Sequence, residues 1–169
     1  DMEKLLLVLR GCPGSGKSTW VKERGLEHFK LCPDDIRLMG SEPLYVPNED
    51  RFTISQKHNS YVWKVVMQLL EYRMRYGFTT VIDATHSHLS DLKKYSALAK
   101  KYDYKMIVVD FTDVPLGECL KRNKQRDSIK WVPEESIRTI FRRFNSQKNQ
   151  IPESFEIINH NDWDLDNFI

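Results

Sequence analysis

At 169 residues, 40% of them hydrophobic and 11% aromatic, the chain has the length and apolar content of one globular domain with a normal core. Its 26 lysines and arginines nearly cancel 24 aspartates and glutamates, and a formal charge of +2 excludes a global field that draws the protein onto nucleic acid or membrane, so any polyanion contact is local. The longest apolar run, Leu5 to Leu9, is too short for a membrane span or signal core, and Cys12, Cys32 and Cys119 have no metal-like spacing; a cytoplasmic, reducing setting is expected. The chain begins at Asp1 instead of a start methionine, and the expectation is a single domain over residues 1–169 excised from a longer polypeptide.

In chain order, LLLVL reads as a fully buried strand, Lys17 to Glu23 as a helix, and HFKLC as a second short strand broken by Pro33. A polar stretch precedes a long helix within residues 53–76, where Ile54, Tyr61, Val62, Val65, Val66, Leu69, Leu70 and Met74 recur at helical spacing and Gly77 is placed to end it. FTTVIDA is a third strand, Ser87 or Ser90 can cap a helix facing inward through Leu92, Tyr95 and Leu98, and YKMIVVDF is a fourth strand. Two helices follow with Pro115 and Pro133 in their first turns, and FEIINH closes as a fifth strand. Strands alternating with helices imply right-handed crossovers and a mostly parallel sheet covered on both faces, with ligands at the carboxyl ends of the strands.

Gly11-Cys12-Pro13-Gly14-Ser15-Gly16-Lys17-Ser18, with Thr19 behind it, fills every fixed position of the phosphate-cradling pattern GxxxxGK[ST], and it stands between a buried strand and a helix as that pattern requires. Glycines let backbone N–H groups converge on an anion, Lys17 reaches the β- and γ-phosphates, and Ser18 would ligate Mg2+. In NKQRD the aspartate falls one position too late for a guanine-reading N-K-x-D, and no transporter signature occurs; the short length favours a small phosphotransferase.

Beyond the second strand, LCPDDIR sets Asp34, Asp35 and Arg37 at the sheet edge where an acceptor is seated. A carboxylate there can take the proton of an attacking hydroxyl, although from pattern alone Asp34 or Asp35 serves equally as a helix N-cap. In CLKRNKQR, Arg122 and Arg126 share one helix face, either around a bound phosphate or as a solvated basic face. Asp83 and Asp110 each end a strand, and either can be the carboxylate on the magnesium side. His86 and His88, on a loop without acids or cysteines in ligand spacing, read as surface residues, and DWDLDN reads as an acidic tail.

Together, GCPGSGKSTW, Asp-Asp-x-Arg after the second strand, DATH after the third and LKRNKQR resemble the polynucleotide 5′-kinase domain of bacteriophage and bacterial nucleic-acid end-healing (repair) enzymes, over residues 5 to 145. The resemblance implies a three-layer α/β P-loop NTPase fold, adenylate-kinase-like, with about five strands and a helical lid. It implies transfer of the γ-phosphate of ATP, or another nucleoside triphosphate, with Mg2+, to the 5′-hydroxyl end of RNA or DNA. Asp34 is then the general base, Arg37 grips the phosphate beside the reacting hydroxyl, Arg126 is a lid arginine on the donor phosphates, Arg122 stacks on the donor base opposite Val132, and Asp83 lies near the metal. Phosphatase, phosphodiesterase or ligase domains are the expected fusion partners. A small-metabolite, sugar or nucleoside kinase is the alternative. Basic residues in two further helices, Arg138, Arg142, Arg143 and Lys148, and Lys93, Lys94, Lys100 and Lys101, favour nucleic acid.

Overall fold

A computed structural model describes residues 4–163. The chain runs β1 (Leu5–Arg10), α1 (Lys17–Glu23), β2 (Lys30–Leu31), α2 (Pro33–Gly40), β3 (Leu44–Val46), β4 (Arg51–Thr53), α3 (Asn59–Arg75), β5 (Thr80–Asp83), α4 (Leu89–Tyr102), β6 (Lys105–Asp110), α5 (Leu116–Gln125), α6 (Glu134–Gln147) and β7 (Glu156–Asn159), with single 3-10 turns at Glu27–Phe29, Pro47–Glu49 and Ser128–Lys130. The five strands β2, β5, β1, β6 and β7 lie in that spatial order, every pair parallel. This is the expected α/β P-loop architecture.

The continuous apolar run of β1 has a simple cause: every one of its residues is buried, because both sheet faces are covered. Side chains alternate across a strand, so Leu5, Leu7 and Leu9 enter a core with Trp20, Val21, Ile137 and Phe144, whereas Leu6 and Val8 enter a second core with Val62, Val66, Leu70, Leu92 and Tyr95. The first core is roofed by α1, α5 and α6, the second by α2, α3 and α4. Gly77 follows α3 at φ +74° and its N–H returns to the Met74 carbonyl, the left-handed stop that a side chain would resist.

Several local expectations shift. The polar stretch holds an antiparallel hairpin, β3 with β4, pairing Leu44 with Thr53, Tyr45 with Phe52 and Val46 with Arg51. Helix α3 starts at Asn59, leaving Ile54 outside it, and Tyr61 and Leu69 are exposed; its buried stripe is Val62, Val66, Leu70 and Met74. His88 takes the N-cap of α4 without a side-chain bond, so neither Ser87 nor Ser90 caps it. Pro115 and Pro133 are N-caps, one residue ahead of their helices. The start of the acidic stretch is anchored, since Trp163 is buried against Trp20; residues 164–169 lie outside the described residues.

Candidate active site

The carboxyl ends of β1, β5 and β6, and the helix that follows β2, deliver the candidate residues to one edge of the sheet, where an open α/β fold binds ligands. The glycine loop leaves β1 and is tied to the neighbouring strand end by the Gly11 N–H on the Thr85 carbonyl, 3.2 Å. Gly14 is irreplaceable on two counts: its φ is +81°, and a Cβ there would lie 2.3 Å from the Cys119 carbonyl oxygen. Cys12 and Pro13 are buried beneath the loop, so they offer a ligand backbone only.

Lys17 is folded back into the loop. Its Nζ donates to the carbonyls of Gly11 (3.0 Å) and Cys12 (2.8 Å) and to Ser15 Oγ (3.4 Å). Burial pushes its pKa down, with the charge of Asp83 opposing that shift. An ammonium so enclosed is a cation waiting for an anion, because phosphate oxygens are better partners than three neutral acceptors.

Ser18 Oγ donates to Asp83 Oδ2 at 2.8 Å. Asp83 ends β5, only 5% exposed, one strand from the loop. Asp110, in contrast, accepts the Thr112 N–H at 2.8 Å and exerts its charge on the buried Arg10. The geometry therefore joins Asp83, and not Asp110, to the hydroxyl of the loop. Among the described residues no group of three His, Cys, Asp or Glu is arranged to hold a metal. A hard cation at Ser18 and Asp83 fits only if phosphate oxygens and water complete its shell, as Mg2+ prefers.

Arg122 lies over the loop, with Nη1 donating to the Ser15 carbonyl at 3.3 Å and Nε to Glu118 Oε1 at 2.9 Å. It borders a cleft of about 380 Å³ shared with Gly16, Thr19, Trp20, Phe111 and His160. Val132 does not line that cleft. It is held instead by the fully buried Asn123, which accepts from the Val132 N–H (3.0 Å) and donates to its carbonyl (2.9 Å). Nor do Arg122 and Arg126 share a helix face: α5 ends at Gln125, and Arg126 is extended, at ψ 172°. Asn123 Oδ1 receives its Nη2 at 3.1 Å, and the Trp131 indole N–H donates to its carbonyl at 2.9 Å. Its Nε is buried with no protein partner. Burial weakens its hold on its proton, while the charges of Asp34 and Asp83 oppose that shift.

On the acceptor side, Cys32 is the N-cap of α2 and Pro33 its first residue, which puts Asp34 and Asp35 in the first turn. Arg37 Nη1 donates to Asp34 Oδ1 at 2.7 Å, and its Nε to Asn59 Oδ1 at 3.1 Å. Asp35 turns away, 3.8 Å from Lys30 Nζ. Among the basic residues of α6, Arg138 lies 3.7 Å from Glu135 and Arg143 donates to Ser87 Oγ at 3.0 Å.

His86 is a correction. It is 2% exposed, at φ +50°, with Nδ1 against the Leu9 carbonyl and Nε2 3.0 Å from the Tyr95 hydroxyl. Its carbonyl accepts from Arg10 Nε at 3.1 Å. It is a brace behind the loop, and its pKa is pushed down to about 4, chiefly by burial. Trp131 and His160 lie outside the sequence motifs, and Asn123 lies inside LKRNKQR with no role assigned to it there.

Residues 6–147 match the AAA domain family AAA_33. Among curated proteins the chain is similar to the L-seryl-tRNA(Sec) kinase of Methanococcus maripaludis, 27% identical over 149 residues, which cover 84% of this chain and 53% of that protein. Among solved structures it is similar to a chain of the Pnkp1/Rnl/Hen1 complex, 26% identical with a TM-score of 0.55, covering 79% of this chain and 46% of the other. A gluconokinase from Sinorhizobium meliloti 1021 shares the fold, with a TM-score of 0.54 at 13% identity over 99% of this chain and 89% of that one. The chain thus spans about half the length of the curated relative and of the matched chain in the complex. Among the described residues, no helix is long and apolar enough to cross a membrane.

Proposed function

The chain belongs to the AAA domain family AAA_33 and has a P-loop kinase-like fold, and from that premise we propose that it moves the γ-phosphate of ATP to the 5′-hydroxyl end of RNA or DNA. The observation that carries this reading is the set of paired groups at one sheet edge: Ser18 of the glycine loop on Asp83, Arg37 on Asp34, and the buried Arg126 with its Nε left without a protein partner. In the proposed mechanism Asp34 orients the attacking hydroxyl and takes its proton, while Arg37, already beside it, holds the neighbouring phosphate. Lys17 leaves the loop carbonyls for the donor phosphates, and Arg126 turns its unpartnered Nε to the phosphoryl group in transfer. Ser18, and Asp83 through water, would hold a Mg2+ that neutralises charge on those phosphates.

The similarity to an L-seryl-tRNA(Sec) kinase supports a second acceptor, the hydroxyl of a serine carried on a tRNA. Both acceptors are hydroxyls carried on a nucleic acid, and Arg37 is placed to hold a phosphate of either. The greater length of both relatives supports a kinase domain within a longer polypeptide.

The test offers labelled ATP and Mg2+ with a 5′-hydroxyl oligonucleotide, a nucleoside 3′-monophosphate, bare nucleosides, seryl-tRNA and gluconate. Labelling of the oligonucleotide and the 3′-monophosphate far above the bare nucleoside is the expected result. Exclusive labelling of seryl-tRNA would establish the second acceptor, and equal labelling of bare nucleosides or gluconate would replace both with a metabolite kinase.

A further inference from the structure

The β3–β4 hairpin is packed against the segment that follows Arg126. Arg51 Nη1 donates to the Ser128 carbonyl at 3.0 Å, and the Ile54 N–H donates to the Ile129 carbonyl at 3.3 Å. The Arg51 guanidinium lies 5.4 Å from the Trp131 ring centroid, and the Lys124 ammonium lies 4.6 Å from the same centroid. Trp131 in turn donates its indole N–H to the Arg126 carbonyl at 2.9 Å. One path of contacts thus runs from the hairpin, through Arg51 and Trp131, to the backbone of the lid arginine.

The hairpin is also the connection between the two acceptor-side helices. Gly40, the last residue of α2, leads into β3, and β4 leads into α3, whose first residue Asn59 accepts from Arg37. The side chain of Arg51 is 13% exposed although it sits on a three-residue edge strand, and it is further paired with Glu49. A guanidinium buried to that degree on a small surface hairpin has been committed to one geometry, at the entropy cost of a long side chain. A hairpin that needed only to close a loop would not require it.

We propose that Arg51 is a positioning residue for phosphoryl transfer: through Ser128 and Trp131 it fixes the backbone of Arg126, so that the acceptor-side insertion and the donor-side lid arginine are set as one unit. The proposal rests on the reading of Arg126 as the donor-side arginine. Asn123 holds the tip of that residue and Trp131 its carbonyl, and its buried Nε has no protein partner. Loss of Arg51 removes the hold on the Ser128 carbonyl and one of the two cations over the Trp131 ring, which loosens the carbonyl anchor of Arg126, while the glycine loop is untouched.

The experiment measures phosphate transfer from ATP to a 5′-hydroxyl oligonucleotide, and acceptor-free ATP hydrolysis, for wild type, R51A, R51K, W131F and the R51A/W131F double variant. R51A is expected to lower kcat about tenfold while the KM for ATP rises less than about threefold, because the lost interaction matters in the transition state. R51K, which keeps a cation over Trp131 and an N–H for Ser128, is expected to recover most of the rate. W131F keeps an aromatic ring, smaller than the indole, but removes the N–H donor, and the double variant is expected to be within about twofold of R51A, since both act through one path. Additive losses, a wild-type rate in R51A, or an R51K as slow as R51A would each overturn the proposal. Hydrolysis to water also depends on Arg126 and is expected to show the same ranking. If no oligonucleotide is labelled yet that ranking holds, the acceptor reading falls and the role of Arg51 stands.

Discussion

Arg37 and Asp34 are joined across one turn of α2, Nη1 to Oδ1 at 2.7 Å, so the cation and the carboxylate assigned to the acceptor aim each other. Asp35, next in sequence, points instead toward Lys30 at 3.8 Å. Asp34→Asn keeps the shape and can still accept from Arg37, but it removes the basic lone pair. Turnover on a 5′-hydroxyl oligonucleotide should fall about 100-fold with ATP binding nearly unchanged, whereas Asp35→Asn should cost less than about threefold. The reverse ranking would shift the base by one residue.

The Ser18–Asp83 hydrogen bond, 2.8 Å, distinguishes two aspartates that end the two strands flanking β1. Asp83→Asn should weaken the apparent Mg2+ affinity by about tenfold, the usual cost of losing an outer-shell carboxylate, and excess Mg2+ should restore part of the rate. Asp110→Asn, which lacks that contact, should leave the Mg2+ titration where it is. A shift in the Asp110 variant alone would exchange their roles.

Arg126 reaches the site by its backbone being held at one end and its tip at the other, with Nε left over. Arg126→Lys should therefore stay impaired, by about tenfold or more in kcat, because one ammonium cannot satisfy both Asn123 and a phosphate. A lysine variant at full rate would mean that only charge, and not the fork, is used.

Legibility in the sequence followed the range of the interactions. The β1 run and the glycine loop were readable because burial on both faces and the need for positive φ act within a few residues, as at Gly14. The hairpin was not, since its strands are three residues long and its opposed pair, Tyr45 and Phe52, faces solvent and gives no inward alternation. The departure of Arg126 from α5 carries no glycine or proline signal; it is set by Asn123 and Trp131, the latter beyond the helix. His86 looked like an exposed loop residue because its partner Leu9 is 77 positions away.

That buried histidine yields a prediction on pH. The Leu9 carbonyl can only accept, so Nδ1 carries the proton and Nε2 accepts from the Tyr95 hydroxyl. A second proton on Nε2 would place a charge in a dry site, and chiefly this burial, with the charges of Lys17 and Arg10 adding to it and the Leu9 carbonyl opposing it, pushes the folded-state pKa down to about 4 from 6.5. The unfolded chain therefore binds the proton first. Stability is fully present above pH 6.5, falls as the pH drops from 6.5 toward 4, and stops changing below that. Between pH 7 and pH 5 the loss from this group should be about 2 kcal/mol. His86→Asn supplies a donor and an acceptor, tolerates the left-handed backbone at φ +50°, and does not titrate. Urea unfolding of both proteins at the two pH values isolates the effect, because the carboxylates are common to both. The wild type should lose about 2 kcal/mol more than the variant. Equal losses would mean that His86 opens to water before it is protonated, and that the brace behind the loop is weaker than its burial implies.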